Sequence, residues 1–196
     1  MIYRNFLPQF TLKLPTLFSL NLLGLTKMLA LTSTTGKLGG AVLDAILKHN
    51  LIPASQLVIL TSSKLATHKS LGIRIGTFDF NRPDPAAAGC TRLFLVSTPQ
   101  ISLDFDNAPS GQGREKHHIA AINAAKEASV KQVIYTSLAF GGDSGTGVMR
   151  AHLRTEAYLK GMMKVTVIRE GLYNSIWPLY LGYFGVGDGG WEGGEG

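Results

Sequence analysis

The chain has 196 residues, 45% of them hydrophobic and 16% charged, with a net charge of +6. That length sustains one domain with its own core, and the composition excludes a disordered or fibrous chain. The surplus of Lys and Arg is scattered rather than gathered into a block, so it reads as solvated surface and no direct nucleic-acid binding is expected.

Residues 1–27 contain no Asp or Glu, and Arg4, Lys13 and Lys27 are their only charges. An acid-poor leader of this kind partly matches a mitochondrial presequence, although arginine is scarce. A membrane-spanning helix needs about 20 unbroken apolar residues; here Lys13 and Pro15 interrupt the run, and no membrane association is expected. The segment reads as an extension to a domain at 28–177. A cytoplasmic location is expected, with a mitochondrial one as the alternative if residues 1–27 act as a presequence.

The stretch from Met28 to Leu47 predicts a buried strand, a tight turn and the first turns of a helix. Apolar Met28-Leu29-Ala30-Leu31 runs into Thr32-Ser33-Thr34-Thr35, then Gly36-Lys37-Leu38-Gly39-Gly40. Glycine at 36 lets backbone N–H groups approach a pyrophosphate, and glycine at 39 lets the helix lie close to its strand. The unpaired N–H groups of the first helical turn and the helix dipole then favour an anion. A G-x-x-G-x-x-G spacing would place its first glycine at position 33, where the chain has Ser33, so the register holds at two of three positions. Leu38, Val42, Ala45 and Ile46 are the expected apolar face of this helix. A second strand, Leu57 to Thr61, closes a β-α-β unit of about 30 residues.

In a fold of this type an acid after the second strand would bind ribose hydroxyls, whereas a hydroxyl-rich or basic loop suits a 2′-phosphate. No acid occurs between His49 and Phe78, and the loop reads Thr61-Ser62-Ser63-Lys64. NADP(H) is therefore the expected cofactor, with NAD(H) as the alternative. Gly72 to Phe80 predicts a third strand with Asp79 at its carboxyl end, where Asp79 either meets an adenine or opens the turn before Asn81-Arg82-Pro83. The next connection, "PDPAAAGCT", is short for a crossover, which usually takes about a dozen residues. Cys90, the one cysteine, cannot form an internal disulfide and reads as a buried, inert thiol. Arg92 to Ser97 is a fourth strand, and Ser97 and Thr98 lie where a nicotinamide ribose would pass.

A polar loop at 100–113 precedes a helix from Arg114 to Ala128, with Ile119, Ile122, Ala125 and Ala128 as its expected inward stripe. His117 and His118 are expected to face solvent, since no further ligands at metal-binding spacing accompany them. Val130 to Thr136 is a fifth strand with Ser137 opening the loop beyond, and Gly141 to Gly147 is a candidate lid. A helix from Val148 to Lys160 leads into a sixth strand, Lys164 to Arg169. Strands alternating with helices predict an α/β fold, a doubly wound parallel sheet. Seven of the last twelve residues are glycine, so residues 178–196 are expected to form a disordered tail on a chain that reads as cut short.

The stretches "LALTSTTGKLGGAVLDAIL", "LVILTSS", "LFLVST", "HIAAINAAKEASVKQVIYTSLAF", "AHLRTEAYL" and "VTVIREGLYN" give the chain its family resemblance. It resembles the NmrA-like branch of the atypical short-chain dehydrogenase/reductases, most of all the NAD(P)H quinone oxidoreductase-like members. The resemblance implies an NAD(P)-binding Rossmann fold, with the carboxyl-terminal substrate domain largely missing here. It also implies NADP(H) and a quinone or similar carbonyl acceptor. It puts Ser33, Thr35, Gly36, Lys37, Leu38 and Gly39 around the pyrophosphate and Ser62, Ser63 and Lys64 near the 2′-phosphate. Asp79 and Phe80 fall near the adenine, and Ser97, Thr98, Thr136 and Ser137 by the nicotinamide ribose. Tyr173 and Asn174 fall on the substrate side.

One departure bears on mechanism. Short-chain dehydrogenases use a Tyr-x-x-x-Lys pair, the lysine lowering the tyrosine pKa for general acid work. Here Val148 stands at the tyrosine position and His152 at the lysine position, so the usual alcohol/ketone mechanism is not expected. His152 either stabilises a quinone oxyanion or orients Glu156 or the ribose. A non-enzymatic NADP(H) sensor with a regulatory protein partner, and an incomplete inactive form, are the alternatives to a reductase.

Overall fold

A computed structural model describes residues 28–62, 71–83, 87, 89–105, 108–139 and 147–171. In chain order it has β1 (Leu29–Thr32), α1 (Lys37–Lys48), β2 (Leu57–Thr61), β3 (Arg74–Thr77) and β4 (Arg92–Leu95). Then follow α2 (Gly113–Glu127), β5 (Gln132–Leu138), α3 (Gly147–Met162) and β6 (Lys164–Glu170). Short 3-10 turns at Ala54–Gln56 and Ile101–Asp104 precede β2 and α2.

The six strands form one sheet in the order β3-β2-β1-β4-β5-β6, and every neighbouring pair is parallel. That is the doubly wound order of dinucleotide-binding folds, with the reversal of strand order falling between β1 and β4. Strands buried on both faces need continuous apolar runs, and every residue of β1 and β2 is buried. On one face Leu29, Leu31, Ile59 and Phe94 meet Leu43 and Ile46 of α1. On the other, Leu93, Leu95, Val133 and Tyr135 pack against Ala121, Ile122 and Ala125 of α2 and Leu159 of α3.

Several expectations need correction. Leu43 takes the core position on α1 while Ala45 is exposed, because the helix turns its face slightly from the predicted one. On α2 the buried stripe runs through Arg114, His118, Ala121, Ile122 and Ala125, whereas Ile119 and Ala128 are only half-buried. His118 is therefore not a solvent-facing residue but is 0% exposed, set on the face that meets α3 and the sheet. The third strand is shorter than Gly72 to Phe80, and Ser137 lies inside β5 rather than in the loop beyond it. Between β3 and β4 no helix occurs among the described residues; Phe78, Ala87 and Cys90 instead plug the core directly. Cys90 is buried, with its thiol accepting from Arg74 Nη2 at 3.5 Å. The candidate lid at 141–146 and the terminal segments 1–27 and 178–196 lie outside the described residues.

The turn from β1 into α1 rests on one close approach. Ser33 adopts φ 56°, the left-handed region that glycine favours. The serine thus supplies the backbone shape that the missing first glycine would supply, at a cost of roughly 1–2 kcal/mol. Its carbonyl then faces Gly39, where a Cβ would lie 2.3 Å from Ser33 O. Gly39→Ala should lower the unfolding free energy by about 1–3 kcal/mol or more, the range for forced overpacking. Gly161→Ala in α3, where nothing lies within 4 Å of the added carbon, should be neutral or stabilising by up to about 1 kcal/mol. Urea unfolding of both variants checks the contrast, and equal effects would contradict it.

Candidate active site

A cleft of about 770 Å³ opens at the carboxyl ends of β1, β2 and β4, within the roughly 300–1,000 Å³ usual for small-molecule sites. Its floor is the glycine turn: Ser33, Thr35, Gly36, Lys37, Leu38 and Gly39 all line it. Helix α1 begins at Gly36 with no side-chain cap and no acid in its first turn. The first N–H groups of a helix have no internal partner, so these amides and the positive dipole end are left for an anion. The shape, the donors and the bare helix start all fit a dinucleotide phosphate. Lys37, exposed at the mouth, adds a positive charge beside them.

Other predicted positions gather along the same cleft. Ser62 follows β2, Asp79 and Phe80 follow β3, and Ser97 and Thr98 follow β4; all line it. Asp79 Oδ1 accepts from Asn81 N at 2.8 Å and Asn81 Nδ2 at 3.0 Å, so it does open the turn before Arg82 while also facing the cleft. Thr136 and Ser137 stand one layer behind. Ser97 donates its backbone N–H to Thr136 Oγ1 at 3.1 Å, and Ser137 Oγ donates to Glu156 Oε1 at 2.7 Å. Ser63, Lys64, Tyr173 and Asn174 lie outside the described residues.

The far wall is built by α2 and α3. Val148 and His152, one helical turn apart on α3, both line the cleft, so no phenol stands at the tyrosine position. His152 does not orient Glu156. That carboxylate accepts from Ser137 and from Arg169, whose Nη2 lies 2.7 Å from Oε2. Burial would raise the Glu156 carboxyl, but the hydrogen bonds from Arg169 and Ser137 outweigh it and hold it below its ordinary range.

Sequence reasoning missed the polar set that holds this wall. Arg114 is buried and ion-paired through Nε with Asp104 Oδ2 at 2.5 Å, both side chains being 3% exposed. Its Nη1 donates to Thr98 O at 3.1 Å and its Nη2 to Val148 O at 3.2 Å. One guanidinium therefore ties the β4 exit, the Ile101–Asp104 turn and the start of α3 together through one N–H on each of its three nitrogens, while bordering the cleft. Glycine makes room for the acid: a Cβ at Gly113 (φ 62°) would lie 2.7 Å from Asp104 Oδ1, and one at Gly147 2.3 Å from Asp104 O. The i, i+4 spacing of Arg114, His118 and Ile122 was the available signal, since extending the α2 stripe back by two turns reaches both polar residues.

Behind His152, Tyr135 Oη lies 2.9 Å from its Nδ1, and His118 is in reach of the same hydroxyl. Burial pushes His152 down to about 4, helped by the Arg114 charge and opposed by Asp104 and Glu156. Burial also pushes His118 well below its ordinary range, with Arg114 acting in the same direction, and raises the Tyr135 phenol. Both imidazoles are thus neutral near pH 7. Among the described residues no group of three His, Cys, Asp or Glu side chains could hold a metal ion.

The parallel sheet, its strand order and the bare helix start beside the β1/β4 reversal define an NAD(P)-binding Rossmann domain. No family model matches the chain. It is 34% identical over 163 residues, 79% of its length and 50% of the relative's, to an NmrA-like family domain-containing oxidoreductase of Aspergillus flavus. Triphenylmethane reductase of Citrobacter sp., solved with NADP(H), superimposes with a TM-score of 0.65 at 28% identity, over 76% of this chain and 51% of that one. An NADPH-dependent quinone oxidoreductase of Escherichia coli, solved with NADPH, gives a TM-score of 0.63 at 30% identity, over 79% and 53%. The chain's sequence kinship therefore lies with NmrA-like oxidoreductases, as the resemblance implies. The chain spans about half the length of the curated relatives it matches.

The buried histidines set a pH dependence. An unfolded histidine titrates near 6.5, so between about pH 6.5 and 4 the unfolded chain binds more protons than the folded one and stability falls as pH falls. His152 alone should account for about 3 kcal/mol of that loss, all of its contribution being present above about pH 6.5. Urea unfolding at about pH 7.5 and about pH 4.5 reads the difference. A flat profile would show that neither ring is held neutral.

Proposed function

We propose that this domain binds NADP(H) in the cleft and supports reduction of a quinone or a similar conjugated carbonyl acceptor. The observation that carries the reading is the uncapped start of α1 after Gly36, facing a cleft where the strand order reverses. Backbone amides of Lys37, Leu38 and Gly39 hold the pyrophosphate, the Gly36 N–H being given to Ser33 O at 3.0 Å, and the Lys37 side chain offsets its charge. Ser62, with Ser63 and Lys64 beyond the described residues, serves the 2′-phosphate, and the lack of an acid after β2 favours NADP(H) over NAD(H). Asp79 and Phe80 border the adenine side. Ser97 and Thr98 border the nicotinamide ribose, with Thr136 holding that strand end from behind and Ser137 beside it bonded to Glu156. Tyr173 and Asn174 are assigned to the acceptor side.

Bound NADPH supplies the hydride, and this chain's residues position it. With Val148 in place of tyrosine, α3 presents no phenol to the cleft, its Tyr158 being bonded to Asn123 instead, so a reaction that needs such a general acid is disfavoured. A quinone asks for less: its oxygen gains negative charge that a hydrogen-bond donor can stabilise, and the remaining proton comes from water. His152, neutral and lining the cleft, is the donor assigned to that oxygen. Of the relatives named above, one is an NADPH-dependent quinone oxidoreductase and one a triphenylmethane reductase solved with NADP(H), which supports a conjugated acceptor for this chain.

A thermal-shift titration of the 196-residue chain with NADPH and NADH tests the binding step. Stabilisation by NADPH at lower concentrations than NADH is expected, followed by oxidation of NADPH that depends on added quinone. No shift with either nucleotide would contradict the reading. Binding without turnover on any quinone would contradict its catalytic half.

A further inference from the structure

Three buried side chains behind His152 fix where its proton sits. Thr98 donates its backbone N–H to His118 Nε2 at 3.2 Å, so that nitrogen is an acceptor and the neutral ring carries its hydrogen on Nδ1. Thr155 Oγ1 gives its own proton to Ala151 O at 2.7 Å and receives the His118 Nδ1 hydrogen at 3.0 Å. Tyr135 Oη lies 3.3 Å from that same Nδ1 and 2.9 Å from His152 Nδ1. Since His118 Nδ1 is already protonated, the phenol can only accept there, which leaves its own hydrogen for His152 Nδ1 or for Thr155 Oγ1, its other side-chain hydrogen-bond neighbour. Thr155 Oγ1 already accepts from His118, so we assign that hydrogen to the 2.9 Å contact with His152 Nδ1. The neutral His152 ring then bears its hydrogen on Nε2. No hydrogen bond from that nitrogen to another described residue is made, and His152 lines the cleft.

We propose that Tyr135 is a positioning residue: by donating to His152 Nδ1 it holds this ring as the Nε2–H tautomer and makes it a fixed donor toward the acceptor oxygen. The role rests on the reductase reading of the cleft; the tautomer itself does not. The chain of direction runs from a backbone amide through His118 and Tyr135 to His152, the His118 Nδ1 hydrogen being shared between Thr155 Oγ1 and Tyr135 Oη. A donor fixed in advance needs no reorganisation when charge develops on the substrate, which is where such groups gain their effect. The arrangement also explains a tyrosine in β5 that is 0% exposed yet aims its hydroxyl at α3. Among the described residues, the charged groups flanking the set are Arg114, Asp104 and Glu156, and each is already paired.

Histidine-selective 15N labelling of the whole chain, without nucleotide, reads both tautomers from long-range proton–nitrogen correlations near neutral pH. The expected pattern is an unprotonated Nδ1 and a protonated Nε2 on His152, and the reverse on His118. Tyr135→Phe should convert His152 to a mixture of tautomers and lower kcat for quinone reduction about tenfold, the effect of weakening one hydrogen bond. KM for NADPH should stay within about twofold, because the phenol does not touch the phosphate turn. A hydrogen on His152 Nδ1 in the unsubstituted protein overturns the proposal, and so does an unchanged His152 spectrum in Tyr135→Phe. If that variant does not fold, the unsubstituted spectrum decides alone. Absence of turnover alongside the expected spectrum would instead overturn the reductase reading and leave the tautomer assignment standing.

Discussion

The carbonyl of Ser33 lies so close to the first turn of α1 that only a hydrogen fits between them at position 39. The rest of the site follows from that approach. It brings the helix start over the end of β1 and sets the uncapped amides of its first turn at the edge of the cleft. The cost is borne at Ser33, a residue with a Cβ held at φ 56°. Packing on both sides of the turn keeps it there: Leu31 of β1 and Leu43 of α1 are each 1% exposed and meet in the same apolar cluster. Hydrophobic contact thus holds a strained turn, and the turn in turn presents polar amides.

The opposite wall is held by different physics. Instead of apolar contact alone, α2 and α3 meet the sheet through Arg114, Asp104, His118, Thr155 and Tyr135, all buried. Burying such groups costs several kcal/mol each unless their hydrogen bonds are made, and here those of Arg114 are made to three separate segments. Their value lies in direction. A leucine at position 114 could fill space, but it could not set the start of α3, the exit of β4 and the Ile101–Asp104 turn at fixed angles to one another. Val148 and His152 inherit their placement on the cleft from that junction.

Much of the architecture was legible in the sequence because parallel strands, buried on both faces, write themselves as short apolar runs. Leu57 to Thr61 is such a run, and the strand matches it to the residue. The glycine turn was legible too, though only the backbone shows that Ser33 takes over the role of the missing glycine. The polar wall was not legible. Arg114 and His118 look like surface residues because those types usually are; their spacing continues the α2 stripe, but their burial depends on partners outside that helix, Asp104 and Tyr135. His152 could be placed on the cleft from the α3 alignment, but its partner is Tyr135, not Glu156, and nothing local in the sequence pairs them.

Kinship with NmrA-like oxidoreductases and the absence of the usual tyrosine are compatible once phosphate binding and proton donation are seen as separate parts of the fold. The first depends on α1 and the second on α3, and they share only the cleft between them. The account rests on the first. Amide proton–nitrogen spectra of the 15N-labelled chain, titrated with NADPH, test it most directly. The largest shifts should fall on Lys37, Leu38 and Gly39, with smaller ones at Ser97 and Thr98. Shifts that spare the Gly36–Gly39 turn while appearing elsewhere would contradict it.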